Sequence, residues 1–186
     1  FPIVFSRLAC VSSIAILVAI ASAFPVRSQS IVPADDGIGT TVTPNGDRFD
    51  IQGGSLSENS ANLFHSFEQF NLESDRTANF IANPNVRNIL TRVTGGNASY
   101  IDGLIQISGS NANLYFMNPA GILFGQQARL NVPGDFFATT ATGIGFDSGW
   151  FDALQTSLQT ENVANLTGNP NAFEFSIPQS GAIVNP

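Results

Sequence analysis

NLYFMNPAGILFG, residues 113–125, holds two apolar runs that meet at a polar corner, Asn118-Pro119-Ala120-Gly121. Proline presets φ for a turn, an asparagine side chain can accept a hydrogen bond from backbone two residues on, and glycine allows a tight exit. The stretch therefore reads as strand, corner, strand. A similar corner, Asn83-Pro84-Asn85-Val86, follows the run Asn79-Phe80-Ile81-Ala82. Turn chemistry accounts for both corners as structure, without any partner.

Outward from this stretch the apolar period stays near two. Residues 48–52, 78–82, 104–107, 128–132 and 136–141 form short runs bounded by Gly, Asn, Pro, Asp or Ser, which is a strand signature. No long amphipathic segments alternate with them, so a doubly wound fold is excluded. Only residues 150–160 are compatible with a helix. Thr43-Pro44-Asn45-Gly46 reads as a turn whose arms, bearing Val42 and Phe49, pair as a hairpin. Two all-β architectures remain, a sandwich and a parallel β-helix. Residues 89–141 favour the second, because strands recur there about every 8–12 residues with Asn- and Gly-rich corners, as stacked solenoid coils require. A solenoid needs a capped end, and the N-terminal hairpin with its phenylalanines fits that role. Phe64, Phe67 and Phe70 are spaced by three, which mismatches a plain strand and predicts a bulge or a bend.

Residues 1–30 read separately, as a secretory signal peptide. Arg7 supplies charge, a short apolar run follows, and Ala21-Ser22-Ala23 offers a cleavage pattern. The run falls short of the roughly 20 apolar residues of a membrane span. Cys10 precedes most of that run, unlike a lipoprotein cysteine. The chain starts at Phe1 and stops just after a strand-like run. It is expected to be incomplete at its start and truncated within a repeating structure at its end.

Beyond residue 30 stand five arginines, no lysine and 14 acids, a net charge of −9. Such a chain repels phosphate backbones, so nucleic acid is not an expected partner. No cysteine remains there either, which suits a chain that crosses a second pore unfolded. The single histidine, His65, lies between aromatics with no nucleophile or orienting acid nearby in sequence, and it reads as a packed side chain. The acids are dispersed, and no metal-loop or phosphate-loop pattern occurs. Neither an enzyme, a metal site nor a cofactor is expected.

Four pieces then stand out in order: Thr43-Pro44-Asn45-Gly46-Asp47-Arg48-Phe49-Asp50-Ile51, Asn62-Leu63-Phe64-His65-Ser66-Phe67, Asn88-Ile89-Leu90-Thr91-Arg92-Val93-Thr94-Gly95-Gly96, and residues 113–125. Through them residues 31–146 resemble the N-terminal secretion domain of the filamentous haemagglutinin family, the large exported proteins of two-partner secretion. Residues 147–176 resemble it less. The resemblance implies a right-handed parallel β-helix with an N-terminal β cap, over a domain of residues 31–186. The family's two hallmark motifs, Asn-Pro-Asn-Leu and Asn-Pro-Asn-Gly, correspond to Asn83-Pro84-Asn85-Val86 and Asn118-Pro119-Ala120-Gly121. Val86 keeps an apolar side chain, whereas Ala120 lacks an amide.

The expected function is to target a large adhesin-like protein to its outer-membrane partner pore and to nucleate β-helix folding. The resemblance implies that this partner is an Omp85-type transporter with POTRA domains. Pairing of exposed strand edges with a receptor sheet is the expected mode. The product would be secreted or held at the cell surface, with host or surface glycans as partners of the downstream region. A carbohydrate- or surface-binding module is the alternative, and would call for rows of exposed aromatics. A polysaccharide lyase would need clustered acids with Arg or Lys on one face, and the composition opposes it.

Overall fold

The computed structural model describes residues 31–154 and 162–185. The signal-peptide reading of residues 1–30 lies outside them. The described residues are all-β apart from one short 3-10 turn, Val163–Asn165. In chain order the strands are β1 (Ile31–Pro33), β2 (Thr40–Asn45), β3 (Arg48–Gly53), β4 (Ser55–Leu56), β5 (Asn62–Phe70), β6 (Thr77–Ile81), β7 (Asn88–Val93), β8 (Ser99–Ile101) and β9 (Leu104–Ser108). There follow β10 (Asn113–Met117), β11 (Ile122–Phe124), β12 (Arg129–Asn131), β13 (Phe136–Thr139), β14 (Gly143–Phe146), β15 (Gly149–Asp152), β16 (Ala172–Glu174) and β17 (Ile183–Val184).

Three walls close the coil. In the first, β5, β7, β10 and β13 stack in parallel. The second stacks β3, β6, β9 and β12 in parallel. β8, β11 and β17 make the third, which Leu72 extends by one bridge to Ile101. The chain visits first, third and second walls in turn, so this is a parallel β-solenoid. Antiparallel strands form the N-terminal cap: β1 and β4 pair with β5, and β2 pairs with β3.

Alternation sorts the side chains. Register stacks Leu63, Ile89, Leu114 and Phe136 as one column in the first wall. Ile51, Phe80 and Ile107 form another in the second. Both feed one core with Phe67, Phe70 and Phe116. Complete burial of each such side chain stabilises by about 1.5–3 kcal/mol. The column Phe49, Ala78, Ile105 ends at Leu130, which is 49% exposed because no described coil covers it.

The phenylalanine spacing is explained by a bulge. Along β1 the partner moves from Gln69 to Phe67, skipping Glu68. That extra residue restores parity, so Phe67 and Phe70 both enter the solenoid core. Phe64, on the other parity, faces outward into a second core.

Two expectations are corrected. β2 continues through Pro44 to Asn45, so the hairpin turn lies at Gly46-Asp47, two residues later than the proline implies. Pro44 is tolerated because β2 is an edge strand, and Gly46 takes the positive φ of +61° that a two-residue hairpin needs. Val42 pairs with Ile51, and Phe49 with Pro44. Of residues 150–160, where a helix was compatible, 150–152 instead belong to strand β15, because Phe151 must alternate inward against Ile144. Residues 153 and 154 are not helical, and 155–160 lie outside the described residues.

β14, β15 and β16 form an antiparallel sheet of their own. Its inner residues Ile144 and Phe151 join Phe64, Leu90, Tyr115 and Met117 in the second core. The first wall is thus buried on both faces, which explains why β7 is buried at every residue.

Candidate functional site

The corner at residues 83–86 turns the chain from β6 to β7. It closes as a β-turn, with the Val86 N–H donating to the Asn83 carbonyl at 3.0 Å. Val86 is 3% exposed and plugs the solenoid core. Asn83, Pro84 and Asn85 stand in solvent. Neither the Asn83 nor the Asn85 amide has a hydrogen-bond partner among the described residues.

The corner at residues 118–121 joins β10 to β11 and is enclosed. Asn118 is 1% exposed. Its Nδ2 donates to the Asn97 carbonyl at 3.0 Å and to Ser99 Oγ at 2.9 Å, and its Oδ1 accepts the Ala120 N–H at 2.9 Å. Its carbonyl accepts the Gly121 N–H at 3.0 Å. From the next layer, the Gly181 N–H donates to the Pro119 carbonyl at 2.8 Å, and the Ile122 N–H donates to the Ala182 carbonyl at 2.9 Å. Gly121 has φ +124°, and a Cβ there would lie 3.1 Å from the Ala182 oxygen. Ala120 is half-buried beneath Gly181. The two corners therefore stand on different edges of the solenoid and are not brought together into one site.

Two polar ladders tie the coils. Asn113 Nδ2 donates to Asn88 Oδ1 at 3.0 Å, and Asn88 Nδ2 donates to Asn62 Oδ1 at 2.9 Å. Asn62 Nδ2 ends the run on the Leu166 and Gly168 carbonyls at 2.8 and 2.9 Å. On the second wall Asn79 Nδ2 donates to Asp50 Oδ1 at 2.8 Å, and Asn79 Oδ1 accepts from Gln106 and Ser108. Hydrogen bonds from Arg48 and Asn79 hold the Asp50 carboxyl below the usual carboxylate range.

Arg92 joins three parts of the molecule. It is 3% exposed, on the outer side of β7. Its Nε donates to Ser66 Oγ at 3.0 Å, its Nη2 meets Asp36 at 3.0 Å, and its Nη1 donates to the Asp152 carbonyl. Its guanidinium also lies 4.7 Å from the Phe151 ring centroid. Burial raises the Asp36 carboxyl, but bonds from Ser66, Ile38 and Arg92 outweigh it and leave it below the usual range. His65 is fully buried, with its ring 5.7 Å from that of Phe80 and its Nδ1 3.3 Å from Thr40 Oγ1. Burial pushes its pKa down to about 3. No group of three or more His, Cys, Asp or Glu among the described residues is placed to hold a metal ion.

The geometry defines a capped β-solenoid with a covered first wall, held by buried polar ties rather than by a catalytic cluster. A family described as the TPS secretion domain matches residues 29–179, and the chain belongs to that two-partner secretion family. Domains of this family are recognised by an outer-membrane transporter, and their exoproteins are secreted through the outer membrane. The heme/hemopexin-binding protein of Haemophilus influenzae is 49% identical over 49 residues, covering 26% of this chain and 5% of that protein. The HMW1 secretion domain from Haemophilus influenzae is similar at 26% identity and a TM-score of 0.48, over 60% of this chain and 27% of that one.

The shared Asn of β5, β7 and β10 was a signal that sequence reasoning left unused. Each strand opens Asn-Leu or Asn-Ile, at Asn62, Asn88 and Asn113. That recurrence is the coil period, and it marks the ladder.

Proposed function

We propose that residues 31–186 form a secretion domain that addresses a longer adhesin-like protein to an Omp85-type transporter, by engaging its periplasmic POTRA domains, and then nucleates folding of the downstream coils. A signal peptide at residues 1–30 would bring it to the periplasm. The observation that carries this reading is the family match across residues 29–179, together with an exposed hallmark corner whose asparagine amides are unspent. Of the two corners, residues 83–85 offer the recognition surface, while residues 118–121 spend their polar groups inside the fold. Strand addition is the physical mode, since before the coils close each strand presents unpaired N–H and C=O groups. Among the described residues β12, β13 and β17 are the last strands of their sheets at the far end, and further coils would stack there.

A surface- or carbohydrate-binding module calls for rows of exposed aromatics. The exposed Tyr100, Phe137 and Trp150 lie on three different sheets, and the exposed Phe173 shares the sheet of Trp150 but has the opposite parity, so no single row includes them and the export reading is favoured. The test is co-precipitation with the transporter's periplasmic region, plus an export assay. Asn83→Ala with Asn85→Ala should abolish capture and leave the fold intact. Undiminished capture and export by this double variant would sink recognition by the corner.

A further inference from the structure

The outer face of β14–β15–β16 carries a feature that the export reading leaves unused. Trp150 is 44% exposed. Its ring lies over Gly143 and Gly145: a Cβ built on Gly143 would meet it at 3.3 Å, and one on Gly145 would meet it at 2.9 Å. Covering glycine backbone with an aromatic ring accounts for the inner face of the indole. The outer face stays bare. Glu174 sits alongside, since the same Cβ on Gly143 would lie 3.5 Å from its Oε2. Glu174 is exposed and has no ion pair among the described residues. The three strands and their tight turn contain Asp147, Asp152 and Glu174 but no basic residue; the buried Arg92 meets the backbone of Asp152 and the inward-facing Phe151, and Glu174 has no such neighbour among the described ion pairs.

We propose that Trp150 and Glu174 form a platform for a cationic side chain, an arginine on a segment of a partner protein. An indole face attracts a cation through its quadrupole, and tryptophan does so best. A guanidinium can stack on the ring while its fork reaches a carboxylate beside it, which a compact ammonium does less well. The acidic surroundings match that charge. The close seat of the ring on the two glycines limits its freedom, so less is lost when a partner lands. The platform stands independently of the corner at residues 83–85 and concerns another face.

Trp150 is the single tryptophan of the chain, so its fluorescence reports this place alone. The full chain is titrated with N-acetyl-arginine amide, with the uncharged citrulline analogue, and with methyl glucoside. The expected result is a saturable change with the arginine probe, weaker by about threefold in Glu174→Gln, and abolished by molar salt. An equal response to citrulline, a response to the glucoside alone, or no saturable response to any probe overturns the proposal. Glu174→Gln is an exposed substitution, and an unchanged circular dichroism spectrum separates lost binding from lost fold.

Discussion

The two Asn-Pro corners share a turn and almost nothing else. At residues 83–86 three side chains face water and only Val86 is buried. At residues 118–121 the asparagine is sealed between the layer of Ser99 below and that of Ala182 above. The difference lies in what stacks over them. β17 covers the second corner through its pairing with β11, whereas Asn83, Pro84 and Asn85 stay exposed at the first. A motif read as one signal is therefore two objects, a surface and a keystone.

The largest effect should come from Asn118→Ala. It strips the partner from the buried Ser99 hydroxyl and from two part-buried backbone groups, and each unsatisfied buried group costs about 1–3 kcal/mol. Urea denaturation should show a loss of about 3 kcal/mol, and an unshifted midpoint would break the contrast. Acid comes next. His65 has a folded pKa of about 3 against about 6.5 when unfolded, so the unfolded chain binds more protons between those values. Stability is full above pH 6.5 and falls as the pH drops, by about 1.4 kcal/mol per unit, or about 2 kcal/mol by pH 5. Neither corner titrates, so the gap between corner variants should stay constant over that range. His65→Gln should flatten the slope, and an unflattened slope would assign it elsewhere. Gly121→Ala strains a positive φ and crowds Ala182, for about 1–2 kcal/mol by thermal melting. Asn83→Ala should change stability by less than about 0.5 kcal/mol. A larger loss would mean that the exposed corner is also structural.

Much of the fold was legible because solenoid walls are made of short alternating strands with corner residues between them. β9, β10, β11 and β12 fall where the period and the punctuation put them. The bulge at Glu68 was legible too, since three phenylalanines at spacing three cannot share a face of a plain strand. The covering sheet β14–β15–β16 was not. Its cue was that Phe64, Leu90 and Tyr115 are apolar on the parity that should meet water, but naming what covers Phe64 requires contacts with Phe146 and Phe151, on strands far along the chain. Arg92 was equally hidden, because its partners come from an N-terminal loop, a neighbouring strand and a distant one. At the corners the sequence shows the turn and hides the burial, because burial depends on whichever coil arrives above.

The Asn62 ladder also imposes an order of events. Its last two bonds reach carbonyls 104 and 106 residues downstream. The opening rung therefore stays unfinished until nearly the whole domain is present. Ending the chain before Leu166 should leave the Asn62 and Asn88 amides exchanging hydrogen quickly, while the coils above keep their protection.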